Sequence, residues 1–271
     1  MAQHGKTIAA SHHLASGQGS DQLLIRLTEN ESALVGVCKL LTEVVTAKRL
    51  ITPAGEWLLD NFHLIEEQIR TAKRHLPKGY SLELPCLASG PSAGYPRVYA
   101  IALEIIRHGD GRVDTESLCN FVASYQTITD LKLGELWAIP IMLRLAVIEN
   151  LRRVGTRIAA RWHERDRADS WADTMTEVAE KDPKSLILVI ADMARSNPPM
   201  TSPFVSELAR RLRGRGPALA LPLTWVDQRL SESGQTIDQL VQSENQQQAG
   251  DQVSISNCIV RGNWAALYFP G

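Results

Sequence analysis

The sequence predicts an all-α fold: an irregular multi-helix bundle around a central kinked helix, with a long Pro/Gly-rich loop. Apolar residues recur at helical spacing along most of the chain, and capping residues precede several of these segments. In residues 131–154 only Arg144 interrupts an apolar run over residues 136–148. A helix buried on nearly all sides needs other helices around it, so this stretch is predicted to be the centre of the bundle. Pro140 lies inside it and predicts the kink.

The composition is that of a folded protein without an excess of positive charge. The chain has 271 residues, 44% of them hydrophobic, and its 29 basic and 30 acidic residues give a net charge of −1. This length allows one large or two small domains. The near-neutral balance gives no electrostatic reason to expect a nucleic-acid partner.

Cysteine spacing and hydropathy both favour a cytoplasmic protein. The four cysteines are scattered without a C-x-x-C pair, which argues against a zinc site or a disulfide framework. No secretory signal is visible at the start of the sequence. The run over residues 136–148 is too short for a membrane span, which needs about 20 apolar residues.

The chain divides by composition into three parts. Residues 1–20 are small, polar and rich in Gly and Ser, which predicts a disordered tail, and the neighbouring His12 and His13 make a poor metal site there. Residues 21–250 are predicted to form one helical domain. Residues 251–271 are an atypical segment that is predicted to be disordered and that ends in the aromatic run VRGNWAALYFPG.

Helices are predicted along the domain in order. The first covers residues 21–50, and the second begins at a Thr52 cap with Pro53 in its first turn and continues to residue 76. Asp114 is predicted to cap a helix, and the central helix is predicted to extend as far as residue 167, with Ser170 capping another. The remaining predicted helices cover residues 98–107, 184–195, 204–213, 222–230 and 236–248. The LILVI run in residues 186–190 also fits a strand, although the residues after it favour a helix.

Residues 77–97, from Pro77 to Arg97, are the predicted long loop, because Pro and Gly recur throughout them. Long loops in compact domains are often functional. Lys78 and Tyr80 are the candidate residues for contacting a sugar or a partner. The alternative is a structural loop that Tyr80, Leu82 and Leu84 hold against the core.

Motifs for nucleotide binding and hydrolysis are missing from the sequence. It contains no phosphate-binding loop, no G-x-G-x-x-G, no G-x-S-x-G, no H-E-x-x-H and no D-x-D pair. No catalytic, cofactor-binding or metal-binding residue is therefore predicted.

Three long segments resemble the N-terminal region of the bacterial cyclic β-1,2-glucan synthases. They are LLDNFHLIEEQIRTAKRHLPKGY (residues 58–80), PRVYAIALEIIRHGDGRVD (96–114) and YQTITDLKLGELWAIPIMLRLAVIENLRR (125–153). The resemblance extends over residues 29–259. It implies a large inner-membrane glycosyltransferase with UDP-glucose as donor, whose transferase and membrane domains lie downstream and act as partners of this region. No catalytic motif of that family falls in this chain.

The resemblance leads to three hypotheses about function. The first is a non-catalytic helical scaffold or interaction module of the synthase, in the cytoplasm or on the cytoplasmic face of the inner membrane, inactive by itself and truncated after residue 259. The second is a direct contribution to glucan initiation or sugar binding through the loop over residues 77–97, with Tyr80 as the hydroxyl acceptor. The third is an unrelated helical adaptor protein.

Overall fold

The computed structural model describes residues 2–16 and 21–259, and in these residues the fold is all-α. They contain two short 3-10 helices (Tyr80–Glu83 and Pro183–Ser185) and two isolated β-bridges. The α-helices are α1 (Ala2–Ser11), α2 (Leu23–Thr46), α3 (Pro53–Asp60), α4 (Phe62–His75), α5 (Arg97–His108), α6 (Thr115–Gln126), α7 (Leu133–Lys181), α8 (Leu186–Ser196), α9 (Ser202–Leu212), α10 (Ala220–Ser231) and α11 (Ile237–Ile259).

The chain forms two compact units where the sequence predicted one helical domain over residues 21–250. Unit 1 comprises Met1–Thr156 together with Asp251–Gly271, and unit 2 comprises Arg157–Gly250. Both α7 and α11 contribute residues to each unit. The spacing of apolar residues indicates which face of a helix is buried, but it does not indicate which other helix that face packs against. The division into two units is therefore not visible in the sequence.

Unit 1 is built around the first part of α7, as predicted for residues 131–154. The side chains of Met142, Val147, Leu151 and Val154 are completely buried. Pro140 lies inside this helix, which continues on both sides of it. The central helix of the sequence prediction is thereby confirmed.

Helix α7 is longer than predicted. Ser170 does not cap a new helix but lies inside α7, where its carbonyl accepts a hydrogen bond from the Thr174 hydroxyl at 2.9 Å. The apolar face continues across Ser170, because Ala168, Ala172 and Met175 are all completely buried. This continuity outweighs the local capping preference of Ser170.

Helix α1 (Ala2–Ser11) lies within residues 1–20, where the sequence predicted a disordered tail. It packs against α6, and Gly5 allows the close approach, since a Cβ there would lie 2.9 Å from the Phe121 carbonyl oxygen. The His12 ring is in hydrogen-bonding contact with the Tyr125 hydroxyl, with Nδ1 at 2.9 Å from the oxygen. Polar composition indicated disorder, but tertiary contacts to distant residues order the segment. Residues 17–20 lie outside the described part.

The predicted helix over residues 52–76 is two helices. Thr52 caps α3 as expected by accepting a hydrogen bond from the Gly55 N–H at 3.2 Å. The helix is interrupted at Asn61, whose side-chain amide donates to the Trp57 carbonyl at 2.9 Å before α4 begins.

The other predicted helices are confirmed with small changes in their ends, except that α11 extends well past its predicted end at residue 248. Asp114 caps α6 by accepting from the Ser117 N–H at 2.8 Å. The LILVI run is helical, and Leu186, Ile190 and Met193 on one face of α8 are buried in the core of unit 2. Helix α11 continues to residue 259, so residues 251–259 of the predicted atypical segment are helical, and residues 260–271 lie outside the described part.

Candidate binding cleft

The two predicted contact residues lie at the start of the loop over residues 77–97. Lys78 is exposed, and Tyr80 is half-buried at the first position of a 3-10 helix. Asp21 fixes this part of the loop, since its carboxylate accepts from the Gly79 N–H at 2.7 Å and from the Ser81 hydroxyl at 2.5 Å. Burial, and then the nearby Glu83 carboxylate, raise the pKa of Tyr80. These contacts leave the role of Lys78 and Tyr80 as a prediction.

The second half of the same loop borders a cleft in unit 1 with a volume of about 370 Å³. Its walls come from α2, from residues 91–95 of the loop, from α5 and from α7. Neither Lys78 nor Tyr80 lines it. The loop therefore borders a cleft, as expected for a functional loop. The residues that line the cleft are not the two that were predicted.

One polar wall of the cleft is an ion pair between α2 and α7. Arg26 donates to both carboxylate oxygens of Glu149, from Nε at 2.9 Å and from Nη2 at 2.6 Å. Arg152 adds a third bond to Glu149 at 2.8 Å. Burial raises the pKa of Glu149, but the hydrogen bonds from the two arginines outweigh it and leave that pKa below its usual range. Glu149 is thus held as a carboxylate.

The aromatic wall consists of Tyr95 on the loop and Tyr99 on α5, with ring centroids 5.6 Å apart. Tyr99 is only 3% exposed, and its hydroxyl has no hydrogen-bond partner among the described residues. Burial, followed by the charge of Glu149, raises the pKa of Tyr99, so its hydroxyl keeps its proton. The hydroxyl oxygen is open to the cleft, where it can pair with a ligand or with solvent.

Asn150 connects the cleft to the end of α11. Its side-chain amide donates to the Ser254 hydroxyl at 3.1 Å and contacts Cys258 Sγ at 3.2 Å, while its carbonyl oxygen accepts from Arg153 at 2.8 Å. The turn at Gly111, with φ of 86°, fits against this junction because it has no Cβ. A Cβ there would lie 2.5 Å from Cys258 Sγ.

The cleft offers hydrogen-bonding groups and an aromatic surface rather than a pair of acid/base groups. Among the described lining residues Glu149 is the one carboxylate, and its lowered pKa makes it a weak base. In the described residues there is no group of three or more His, Cys, Asp or Glu side chains placed to hold a metal ion. The lining therefore offers hydrogen-bonding groups and apolar surface to a ligand.

A second arginine–glutamate pair in unit 1 is buried. Arg97 donates to Glu135 from Nε at 3.0 Å and from Nη2 at 2.6 Å, and the two side chains are 2% and 0% exposed. Nη2 also donates to the Asp130 carbonyl at 3.0 Å, and the guanidinium lies 5.8 Å from the centre of the Tyr125 ring. Because both side chains are buried, the pair is a structural element of the core.

The cleft residues were not identified from the sequence. Tyr95 fell in the predicted loop, Tyr99 in the helix after it and Glu149 in the central helix, and the sequence predicted no functional role for any of them. The available signal was local: Glu149 and Asn150 follow directly on the apolar run, and the two tyrosines are four residues apart at the loop–helix junction. Arg26 carried no signal, because its partner is more than 100 residues away in the sequence.

No helix in the described part of the chain combines the length and apolar character that crossing a membrane requires.

Comparison with known proteins identifies one informative relative. The chain is 30% identical over 234 residues to the cyclic beta-(1,2)-glucan synthase NdvB of Rhizobium meliloti (strain 1021). The match covers 86% of this chain but only 8% of that relative. No family model matches the chain. The resemblance predicted from the three sequence segments is confirmed, and it concerns a small part of a much longer protein.

Proposed function

We propose that this chain, which is related over most of its length to one segment of a cyclic β-1,2-glucan synthase, is a helical module that supports glucan synthesis without itself forming glycosidic bonds. The observation that carries this proposal is the 30% identity extending over 86% of the chain. Identity of this extent over two packed helical units favours a conserved folded module over a shared short motif.

The packing of the chain supports a role in binding and bracing. The buried side chains of unit 1 are mostly aliphatic, and unit 2 has its own apolar core on α7 to α11. The cleft carboxylate Glu149 is tied to two arginines, which leaves it unsuited to proton transfer near neutral pH. In this proposal the transferase and membrane domains of the larger protein act on UDP-glucose on the cytoplasmic face of the membrane, and this module contacts them.

The test uses both the chain alone and a full-length synthase. The 271-residue chain is incubated with UDP-glucose, and release of UDP is followed; no turnover is expected. In parallel the homologous segment of the full-length enzyme is deleted, and then replaced by this chain. Deletion should reduce glucan output and replacement should restore a large part of it. Turnover by the chain alone, or full output after deletion, would contradict the proposal.

The alternative of sugar binding through the loop over residues 77–97 is favoured by one observation. Pro91, Ser92 and Tyr95 of that loop line the cleft. Attachment of glucan to Tyr80 remains a separate prediction. Mass spectrometry of the Tyr80 peptide from the full-length enzyme during synthesis would show a hexose ladder if Tyr80 were the acceptor.

A further inference from the structure

We infer that the cleft between α2, α5 and α7 is a binding site for a neutral saccharide, and that its ligand is one or two glucose units of a β-1,2-linked glucan. The identity of the sugar rests on the proposed function. The saccharide class itself rests on the size of the cleft, the unpaired Tyr99 hydroxyl, and the pairing of the charges around it.

The size of the cleft matches a small ligand. Its volume of about 370 Å³ is near the lower end of the range of roughly 300–1,000 Å³ that is usual for small-molecule sites. Leu103, Ile106 and Ala146 form an apolar part of the lining. A pyranose ring has apolar C–H faces and a hydroxyl rim, so it suits a site with an apolar surface and polar groups around it.

The Tyr99 hydroxyl points to a ligand with its own hydroxyl groups. This side chain is almost completely buried yet lines the cleft, and its oxygen has no protein partner in the described part of the chain. The oxygen is open to the cleft and not sealed in the core, so a ligand in the cleft can reach it. A sugar hydroxyl both donates and accepts, so it can pair with the phenol and with the oxygens of Glu149.

The charges around the cleft favour a neutral ligand over a phosphate. Arg26 is bound to Glu149 and also donates to Glu29 at 3.1 Å, and Arg107 donates to Glu104 at 2.9 Å. Arg153, the third arginine of the lining, donates to the Asn150 side-chain carbonyl at 2.8 Å. A diphosphate would have to displace these partners from the arginines. A neutral polyol can use the remaining donors and acceptors without separating an ion pair.

The test is isothermal titration calorimetry of the 271-residue chain with a β-1,2-linked glucose disaccharide. Saturable binding is expected, with weaker or no binding of an α-1,4-linked disaccharide and of UDP. Tyr99→Phe removes one hydroxyl and should lower the affinity for the β-1,2 disaccharide by about five- to tenfold, the effect of one net hydrogen bond. Tyr125→Phe is the matched control, because it removes a tyrosine hydroxyl outside the cleft, and it should leave the affinity unchanged.

Leu103→Trp is the second variant, because it fills the cleft from a half-buried position and should abolish binding. Circular dichroism confirms that each variant is folded. Absence of binding by the unaltered chain at tens of millimolar disaccharide, equal affinities of the unaltered chain and Tyr99→Phe, or tighter binding of UDP than of the disaccharide would each overturn the inference.

The result is independent of the test of the proposed function. If the chain binds the disaccharide but fails to restore output in the full-length enzyme, the supporting role is wrong and the saccharide site stands. If it restores output without binding the disaccharide, the supporting role stands and the saccharide site is wrong.

Discussion

Unit 1 contains two arginine–glutamate pairs with the same bidentate chemistry and very different surroundings. Arg97 and Glu135 are buried in the core, whereas Arg26 and Glu149 form a wall of a cleft. A buried pair fixes helices in place but offers nothing to a ligand. A pair at a cleft is weakened by solvent screening, but a ligand can reach it. Burial, and not residue type, therefore separates a structural pair from a candidate binding pair.

The largest effect is expected from breaking the buried pair. Glu135→Gln leaves the Arg97 guanidinium without its counter-charge inside the core, which should lower the free energy of unfolding by about 3–5 kcal/mol. Urea denaturation followed by circular dichroism measures it. Asp192→Asn breaks an exposed pair with Arg195 and serves as the control, with little change expected. Similar losses in both variants would show that burial does not distinguish the pairs.

The next largest effect concerns the support behind the cleft. Gly111→Ala places a Cβ close to Cys258 Sγ and 3.0 Å from the Ser254 carbonyl, at a backbone φ of 86°. We expect the free energy of unfolding to fall by about 2–3 kcal/mol, because alanine is strained in the left-handed conformation and its Cβ displaces the end of α11. Because Asn150 bonds to both neighbours, the disaccharide affinity should also fall.

Gly36→Ala is the matched control for that substitution, because nothing lies within 4 Å of its Cβ position inside α2. It should raise stability by up to about 1 kcal/mol, since alanine favours helix more than glycine does. Thermal melts of the two variants compare them directly. A stable Gly111→Ala chain with full affinity would contradict the contact between the turn and α11.

A smaller effect is expected from the pair at the cleft. Glu149→Gln weakens the charge-assisted bonds from Arg26 and Arg152 and should cost about 1–2 kcal/mol, reduced by solvent at the cleft. The pKa of Glu149 is lower in the folded chain than its ordinary value of 4.5. The contribution of the Glu149 carboxylate to the free energy of unfolding is therefore present above pH 4.5 and is lost as the pH falls through the folded-state pKa.

The stability difference between the unaltered chain and Glu149→Gln should accordingly shrink in acid. Urea titrations at a series of pH values between 7 and 3 measure it. A difference that grows as the pH falls would mean that the carboxylate is not stabilised by the two arginines.

The smallest effect concerns the contact of α1 with Tyr125. Burial is the main cause that lowers the pKa of His12, followed by the charge of Arg97; Glu104 acts in the opposite direction. A histidine whose pKa is lowered by folding stabilises the fold above its ordinary value of 6.5, and this stabilisation is lost as the pH falls toward the folded-state pKa. Hydrogen-exchange protection factors of α1, in which the intrinsic pH dependence of amide exchange is divided out, should therefore fall between pH 7.5 and 5.5, and less so in His12→Gln. Protection factors that rise in acid would contradict the contact.

Most of the helices were predictable because they depend on local information. Spacing of apolar residues located α2 and the core part of α7, and the caps at Thr52 and Asp114 were read directly from their sequence neighbours. Helix α1 was missed because its order depends on Gly5 and His12 meeting α6 more than 100 residues away. The continuation of α7 past Ser170 was missed because a local capping preference competed with an apolar face that extends beyond it.

The sequence predicted the loop that borders the candidate site but not the residues that line the site. The density of Pro and Gly in residues 77–97 identified a segment that borders the cleft. The residues chosen within it, Lys78 and Tyr80, lie away from the cleft. The selection of Tyr95, Tyr99 and Glu149 depends on three helices meeting, and a single sequence contains no record of which helices meet.

The central claim is that the pair at the cleft serves binding whereas the buried pair serves folding. The most direct measurement is the free energy of unfolding together with the disaccharide affinity per folded molecule, for Glu135→Gln and Glu149→Gln side by side. We expect the two variants to rank in opposite order for stability and for affinity. Glu135→Gln should lose the most stability and keep its affinity for the disaccharide. Glu149→Gln should keep most of its stability and bind the disaccharide several-fold more weakly. Parallel losses of stability and affinity in both variants would contradict it.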